Sequence, residues 1–206
     1  MRAVAYFVRH GSTKLNDAGK FRGPLDVDLD ENGQKQTKDL ADYFKGRSFS
    51  AAFHSSKKRA KQTIIPIIKK SARPKMKPKM VKDFDALNVG DFAGQPKSPE
   101  NLEAIKHYQE HMDEKIPGGE RIQDFRARTD PKIMMAIRKG DEAGEPTISA
   151  VHSSTIHEVS HLLHGDHNKV KVQPGGVVGV FKTPNGYKAK ALFRESKGSE
   201  DGHFVS

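Results

Sequence analysis

The sequence of 206 residues contains no cysteine, and aromatic residues make up only 7% of it. The lack of cysteine excludes disulfides, a thiol nucleophile, and zinc or iron–sulfur sites that use thiolate ligands. The sequence also lacks any apolar run that approaches the roughly 20 residues needed to span a bilayer, and its N-terminal apolar stretch is too short for a signal peptide. We therefore expect a cytoplasmic protein that does not bind a membrane.

Acidic residues are missing from one long segment of the chain. Between Tyr43 and Lys82 the sequence has 13 Lys or Arg residues and no Asp or Glu. Because the rest of the chain carries slightly more acidic than basic residues, the formal net charge of +10 arises entirely from this segment. Such a segment can attract a phosphorylated substrate or nucleic acid. We interpret most of its lysines as a solvated surface, and do not expect nucleic acid as a partner.

Short β-rich runs alternate with helical patterns along the chain, as is typical of an α/β protein. The predicted strands are Ala3–Val8, Phe49–His54, Met76–Lys82, Thr147–Val151, Val177–Lys182 and Tyr187–Phe193. The predicted helices are Gly33–Lys45, Lys57–Lys70, Pro99–Glu114, Ile122–Lys139 and Thr155–His164. A chain of this length forms one ordinary domain, so we predict a single domain over residues 1–206.

Local composition adds three expectations to this outline. Pro66 lies inside the second predicted helix and is expected to kink that helix or end it early. Glycines and prolines surround one helix within residues 83–119, which we interpret as a small cap inserted over one end of the sheet. The last stretch, residues 195–206, is polar and rich in Gly and Ser, so we expect it to be disordered.

Reactive side chains directly follow three of the predicted strands. Arg9 and His10 follow the first strand, Arg59 lies shortly after the second, and His152 follows the strand that ends at Val151. Ligands of open α/β sheets bind beyond the carboxyl ends of parallel strands, so these four side chains could converge. Two guanidiniums and two imidazoles would repel one another unless a dianion, such as a phosphoryl group, lay between them. A neutral imidazole can attack phosphorus to form a phosphohistidine, while the other imidazole stabilises the charge on the phosphoryl oxygens.

Several short motifs follow one another in a recognisable order. They are Arg9-His10-Gly11-Ser12-Thr13 with Asn16 and Phe21-Arg22-Gly23, then Leu29–Gly33 with Gln36-Thr37, Ser55–Thr63, Gly90–Gly94, and Pro117–Glu120 followed by Arg128. His152 then follows an apolar strand. A lone Arg-His-Gly is a weak signal, but the ordered set is a strong one. Over roughly residues 3–165 the chain resembles the histidine phosphatase superfamily, the phosphoglycerate mutase-like proteins whose branch carries the Arg-His-Gly motif.

The resemblance implies a three-layer α/β/α sandwich with a mostly parallel central sheet. It implies that His10 is the phosphorylated nucleophile and that Arg9, Arg59 and His152 complete the catalytic set. The implied phosphate contacts are Arg9, Gly11, Asn16, Arg59 and Ser153. The implied activity is a metal-independent phosphohydrolase without a cofactor, acting on a phosphorylated small molecule or a phosphoprotein.

One departure from the family pattern concerns the general acid. The usual glutamate position is Ala86 here, and Asp85 and Asp91, which lie on either side of it, could substitute. A general acid contributes roughly 10²–10⁴ in rate, so its loss favours substrates whose leaving group needs no proton and disfavours mutase activity. The loss also leaves open a catalytically weak module that binds phosphorylated ligands or phosphoproteins.

A second motif points to a different activity. His157-Glu158-Val159-Ser160-His161 matches the H-E-x-x-H motif of zinc peptidases, and His167 lies where an extended motif has its third ligand. However, position 164 carries a histidine where the extended motif has glycine, and no methionine follows His167. We therefore expect no metal site, and interpret the stretch as polar residues beside the buried face of an amphipathic helix. That face is expected to consist of Ile156, Val159, Leu162 and Leu163.

Overall fold

The computed structural model describes residues 1–196 and contains a six-stranded sheet with helices on both faces. The strands are β1 (Ala3–Arg9), β2 (Ala51–His54), β3 (Lys79–Met80), β4 (Thr147–Val151), β5 (Val172–Thr183) and β6 (Gly186–Glu195). Their order across the sheet is β3-β2-β4-β1-β5-β6. The first four in this order are parallel, and β5 and β6 pair antiparallel. The predicted three-layer α/β/α sandwich with a mostly parallel sheet is confirmed.

All five predicted helices are present, together with one short α-helix and two short 3₁₀ helices (Lys82–Phe84 and Gly90–Phe92) that were not predicted. The α-helices are α1 (Lys14–Asp17), α2 (Glu31–Tyr43), α3 (Lys58–Lys70), α4 (Pro99–Glu110), α5 (Ile122–Ala143) and α6 (Ser153–His164). Of the two effects expected of Pro66, a kink or an early end, the early end was wrong, since the helix continues to Lys70. Ile64, Ile67 and Ile68 are buried around this proline, and each contributes about 1.5–3 kcal/mol, which offsets the roughly 3 kcal/mol cost of the proline. No helix within residues 1–196 is long and apolar enough to cross a membrane.

The strands near the end of the chain are longer than predicted. β5 begins at Val172, because Gly175 and Gly176 lie in an irregularity of the pairing and not in a turn before the strand. β6 continues to Glu195, which pairs with Val172, so the expected disorder is wrong at this residue. The rest of that stretch, residues 197–206, lies outside the described residues.

Apolar side chains are buried on both faces of the sheet. Tyr6 and Val8 of β1 pack in one cluster with residues of α2 and α3. Phe7, which points to the other face, packs in a second cluster that includes Ile133 of α5 and Val159 of α6. A third cluster connects α4 and the segment before it to the start of α5, and consists of Phe21, Leu87, Val89, Ile105, Ile116, Ile122 and Phe125. This third cluster lies beside the carboxyl ends of the parallel strands and forms one wall of the cleft described below.

The first turn of α2 touches the loop that follows β1. A Cβ added at Gly33 would lie 2.1 Å from the carbonyl oxygen of Ser12. We expect Gly33→Ala to lower the free energy of unfolding by about 1–3 kcal/mol, because the backbone must shift to relieve this overlap. Urea unfolding measures the change, with Gln34→Ala on the exposed side of the same turn as the control. The control should stay within about 0.5 kcal/mol of wild type, and an equally small effect of Gly33→Ala would contradict the packing described here.

Candidate active site

Three parallel strands end together at one edge of the sheet. The pairings of β4 with β1 and with β2 remain in register up to these ends. As a result His10, Ser55 and His152, each the first residue after its strand, lie at the same edge. Arg59 reaches this edge from the second residue of α3, which begins shortly after β2. The structure therefore brings together reactive residues that lie far apart in the sequence.

His10 is fully buried, and both of its ring nitrogens have a partner. Its Nδ1 lies 2.7 Å from the carbonyl oxygen of Gly11, and because a carbonyl can only accept, Nδ1 carries the proton. Its Nε2 accepts a hydrogen bond from Nε of Arg59 at 3.2 Å. Burial, followed by the charges of Arg22 and Arg59, lowers the pKa of His10 well below its ordinary value. His10 is thus a neutral imidazole with its lone pair on Nε2, the form that attacks phosphorus.

Arg59 binds both imidazoles of the site and has no exposed surface. Its Nε donates to His10, and its Nη2 lies 3.3 Å from Nδ1 of His152. Burial lowers the pKa of Arg59 to about 10, while Asp26 and Asp85 act in the opposite direction. Arg59 therefore stays charged at neutral pH and offers a planar set of donors that suits phosphate oxygens.

His152 precedes the first residue of α6, and its ring centre lies 5.2 Å from that of His10. Because a guanidinium can only donate, Nδ1 of His152 accepts from Arg59, and Nε2 donates to the hydroxyl oxygen of Ser55 at 2.7 Å. Burial, followed by the charges of Arg59 and Arg22, lowers the pKa of His152 well below its ordinary value. Arg59 therefore fixes the tautomer of both imidazoles, and Ser55 orients the second one.

Arg22 lies in the same place, although the sequence analysis did not assign it to the site. It is nearly fully buried and lines the same cleft as Arg59. Burial, followed by the charges of Arg9 and Arg59, lowers the pKa of Arg22. Its Nη1 donates to Oδ1 of Asn16, so Asn16, which was expected to contact phosphate, orients this guanidinium. The only sequence signal for Arg22 was its place in the motif at residues 21–23.

The three other residues predicted to contact phosphate, Arg9, Gly11 and Ser153, each lie in a different environment. Arg9 is buried at the end of β1, and its Nη1 donates to the carbonyl oxygen of Val172 in β5 at 2.9 Å. Ser153 is the first residue of α6 and lines the cleft. Gly11 has a packing role, since a Cβ there would lie 2.7 Å from the carbonyl oxygen of Gly33. The missing side chain of Gly11 thus allows α2 to approach the loop that carries His10.

A narrow cleft of about 20 Å³ opens beside these groups. It is lined by Phe21, Arg22, Gly23, Arg59, Ala86, Leu87, Val89, His152, Ser153 and Ser154. A space of this size holds about one water molecule. The guanidinium of Arg59 also donates to the carbonyl oxygens of Leu25 at 2.6 Å and Gly23 at 3.4 Å. These carbonyls occupy donors that an anion in the cleft could use.

The residues next to the usual general-acid position do not face this cleft. Ala86 itself lines the cleft. The carboxylate of Asp85 accepts hydrogen bonds from the backbone nitrogen of Ser56 at 2.7 Å and from its hydroxyl at 2.6 Å. Asp91 is exposed and lies beside Gly118. An apolar side chain therefore stands where the resemblance would place a proton donor.

The H-E-x-x-H stretch lies on α6 and forms no metal centre in the structure. In the part of the chain that is described, no group of three or more His, Asp or Glu side chains is arranged to hold a metal ion. The carboxylate of Glu158 lies 3.0 Å from Nε of Arg126 and 3.3 Å from Nε2 of His167. Nδ1 of His157 is 2.8 Å from the carbonyl oxygen of His167. The residues of the motif therefore bind other parts of the protein.

The expectation that these polar residues only flank a buried apolar face was wrong. His157 and Glu158 are fully or almost fully buried, whereas Leu162 and Leu163 are only partly buried. α6 contacts β1, β5, β6 and α5, and the loop at residues 165–171 covers it as well. Because the helix is covered on several sides, its polar residues are buried together with its apolar ones.

Asp130 of α5 gives this region a measurable pH dependence. Burial and the nearby charge of Glu158 raise the pKa of Asp130 from its ordinary value of 3.8 to about 6. The protonated carboxyl group of Asp130 contributes to the stability of the fold. This contribution is complete below about pH 4 and is lost as the pH rises through about 6. Asp130 is half-buried, so after allowance for solvent screening we expect Asp130→Asn to stabilise the protein by about 1 kcal/mol near pH 7.5. Thermal unfolding of wild type and Asp130→Asn near pH 7.5 and near pH 4 tests this. If the variant is stabilised equally at both pH values, the titration of Asp130 is not the cause of the stabilisation.

Residues 5–177 match the model of the histidine phosphatase superfamily (branch 1). A 2,3-bisphosphoglycerate-dependent phosphoglycerate mutase from Bradyrhizobium sp. (strain ORS 278) is 28% identical over 177 residues, which cover 83% of this chain and 83% of that protein. This match spans most of both chains.

Solved structures share the fold over nearly the whole chain. A phosphoglycerate mutase from Bacillus anthracis superimposes with a TM-score of 0.77 and 24% identity, covering 93% of each chain. A mycobacterial glucosyl-3-phosphoglycerate phosphatase gives a TM-score of 0.73 and 19% identity, covering 96% of this chain and 100% of that one. At these identities the likeness establishes the architecture and leaves the substrate to be argued from the site.

Proposed function

Because the chain belongs to the histidine phosphatase superfamily, we propose that it is a phosphohydrolase that works through a phosphohistidine on His10. The observation that carries this proposal is the neutral His10 ring, whose Nε2 lies 3.2 Å from Nε of the Arg59 guanidinium. A nucleophilic nitrogen and a group that binds phosphate oxygens are thus adjacent. The substrate would be a phosphorylated small molecule or a phosphoprotein.

The first step transfers the phosphoryl group to the enzyme. An incoming phosphoryl group replaces the carbonyl oxygens of Gly23 and Leu25 on Arg59, and Arg22, which lines the same cleft, binds it as well. Nε of Arg59 moves its hydrogen bond from Nε2 of His10 to a phosphoryl oxygen. The freed Nε2 then forms a bond to phosphorus while the bond to the leaving group breaks. The guanidiniums stabilise the charge on the phosphoryl oxygens, which is the main contribution that a protein makes to phosphoryl transfer.

The second step returns the enzyme to its starting state. Water attacks phosphorus, the electron pair of the N–P bond returns to Nε2 of His10, and the proton of the attacking water passes to solvent. His152 stays within reach of the phosphoryl group because Ser55 and Arg59 hold its ring on both sides. The products are inorganic phosphate and free enzyme.

Mutase activity is the main alternative, since the Bradyrhizobium relative is named a phosphoglycerate mutase. A mutase must return the phosphoryl group to a substrate hydroxyl, and that step exchanges a proton with the hydroxyl oxygen. Ala86 lines the cleft on the side of Leu87 and Val89 and cannot exchange a proton. This composition of the cleft supports the hydrolase over the mutase.

Hydrolysis of 4-nitrophenyl phosphate, with and without EDTA, tests the proposed function. We expect turnover that EDTA does not reduce, together with no conversion of 3-phosphoglycerate in the presence of 2,3-bisphosphoglycerate. Efficient conversion would favour the mutase. Binding of phosphorylated ligands without turnover would instead support the module that only binds, and chelator-sensitive peptide cleavage would support the zinc peptidase.

A further inference from the structure

One wall of the cleft is apolar and contains the position where the resemblance would place the general acid. Ala86, Leu87 and Val89 form this wall, and the cleft is otherwise lined by two guanidiniums, one imidazole, two serines, Phe21 and Gly23. Among the residues described at the cleft, none carries a carboxyl group. An alkoxide leaving group needs a proton as it departs, so the source of that proton decides which substrates can react.

Three polar groups of the cleft are already engaged in ways that do not supply a proton. Nε2 of His152 donates to Ser55, and its Nδ1 accepts from Arg59. The hydroxyl oxygen of Ser154 accepts from the backbone nitrogen of Leu87 at 3.2 Å, and a serine hydroxyl is a very weak acid. The guanidinium of Arg59, with a pKa of about 10, stays protonated at neutral pH. None of these groups readily gives up a proton at neutral pH.

A neighbouring compartment of about 400 Å³ meets the cleft at Ala86 and is lined by the carboxylates of Asp83, Asp85 and Glu120. The carboxylate of Asp83 lies 3.6 Å from Nζ of Lys132. Asp85 lines this compartment, but both of its oxygens accept hydrogen bonds from Ser56. Glu120 also lines it, and its oxygens lie 2.7 and 3.1 Å from the guanidinium nitrogens of Arg128. In the structure these carboxylates are therefore engaged with other groups of the protein, and none of them lines the cleft.

We propose that the substrates are phosphoryl donors whose leaving group departs without a proton from the enzyme, namely acyl phosphates, aryl phosphates and N-phosphoryl compounds. This inference rests on the proposed function. With an acyl phosphate, Nε2 of His10 bonds to phosphorus as the P–O bond breaks, and the electron pair leaves on the carboxylate. An N-phosphoryl nitrogen takes its proton from solvent before cleavage. Alkyl phosphates, which lack both routes, react slowly.

A leaving-group series with the wild-type protein tests this directly. The probes are acetyl phosphate, 4-nitrophenyl phosphate, phosphoramidate and glycerol phosphate, with kcat/KM measured for each. We expect glycerol phosphate to react at least about 10²-fold more slowly than the best of the other three, which is the low end of what a general acid contributes. Equal rates for glycerol phosphate and the activated donors would overturn the inference and leave the proposed function intact. Failure to hydrolyse any of the four would overturn the proposed function.

Substitution of Ala86 supplies a gain-of-function test with a matched control. Ala86→Glu places a carboxyl group at the apolar wall of the cleft, and its control Ala86→Gln has nearly the same shape but cannot donate a proton as an acid. We expect Ala86→Glu to raise the rate with glycerol phosphate relative to acetyl phosphate by about 10²-fold, and Ala86→Gln to leave this ratio unchanged. An unchanged ratio in a folded Ala86→Glu variant, or an equal rise in both variants, would contradict the missing acid as the cause.

Discussion

Turnover of 4-nitrophenyl phosphate is expected to fall by about 10⁴-fold or more when His10 is replaced by alanine, because the variant lacks the atom that accepts the phosphoryl group. His10 is buried against Gly11 and Arg59, so the loss of the ring also affects packing. His10→Asn is therefore measured in parallel, because its amide can keep the hydrogen bond to Gly11. Circular dichroism shows whether each variant stays folded.

The chain offers a matched control for His10 in the neighbouring strand. His54 is also buried at a strand end, and its Nδ1 lies 2.6 Å from the carbonyl oxygen of the next residue, Ser55. It is not among the residues that contact Arg59 or line the cleft in the described part of the chain. His54→Ala should therefore retain most of the activity. Equal loss in the His10 and His54 variants would show that burial, and not nucleophilic attack, explains the effect.

Arg59→Lys is expected to lower kcat/KM by about 10²–10³-fold, although it conserves the charge. The guanidinium donates from separate nitrogens to His10, His152 and the carbonyl oxygen of Leu25. One ammonium cannot reach all of these acceptors, so both imidazoles would lose the partner that fixes their tautomers. Steady-state kinetics measures the change.

Lys61→Gln is the control for Arg59→Lys. Lys61 lies on the same helix, is exposed, and belongs to the same Lys-rich segment. Loss of the Lys61 charge should change kcat/KM little. This comparison separates the effect of the Arg59 guanidinium from the effect of the positive charge of the surrounding segment. Full activity of Arg59→Lys would contradict the role given to Arg59 here.

The sequence predicts the fold and the convergence of the strand ends because both depend on local patterns. Alternating apolar runs mark the strands, and parallel pairing necessarily places the residues after β1, β2 and β4 at one edge. The family assignment from the ordered motifs is confirmed by the match over residues 5–177. The roles of His10, Arg59 and His152 remain predictions.

The features that the sequence does not reveal arise from tertiary contacts. Arg22 becomes a site residue because the 21–25 loop folds back onto α3 and brings it close to Arg59. Glu158 is buried because Arg126 and the loop after α6 cover the polar side of that helix. The helical periodicity of α6 describes only its own residues, so it cannot predict what packs against its other faces.

The most direct test of the phosphohistidine is to trap it. Wild-type protein is mixed with an excess of ³²P-labelled acetyl phosphate, denatured within one turnover at alkaline pH, and mapped by peptide mass spectrometry. The account predicts an acid-labile phosphoryl group on the peptide that contains His10, present in His54→Ala and missing in His10→Asn. Turnover without a labelled peptide, or a label on any residue other than His10, would contradict it.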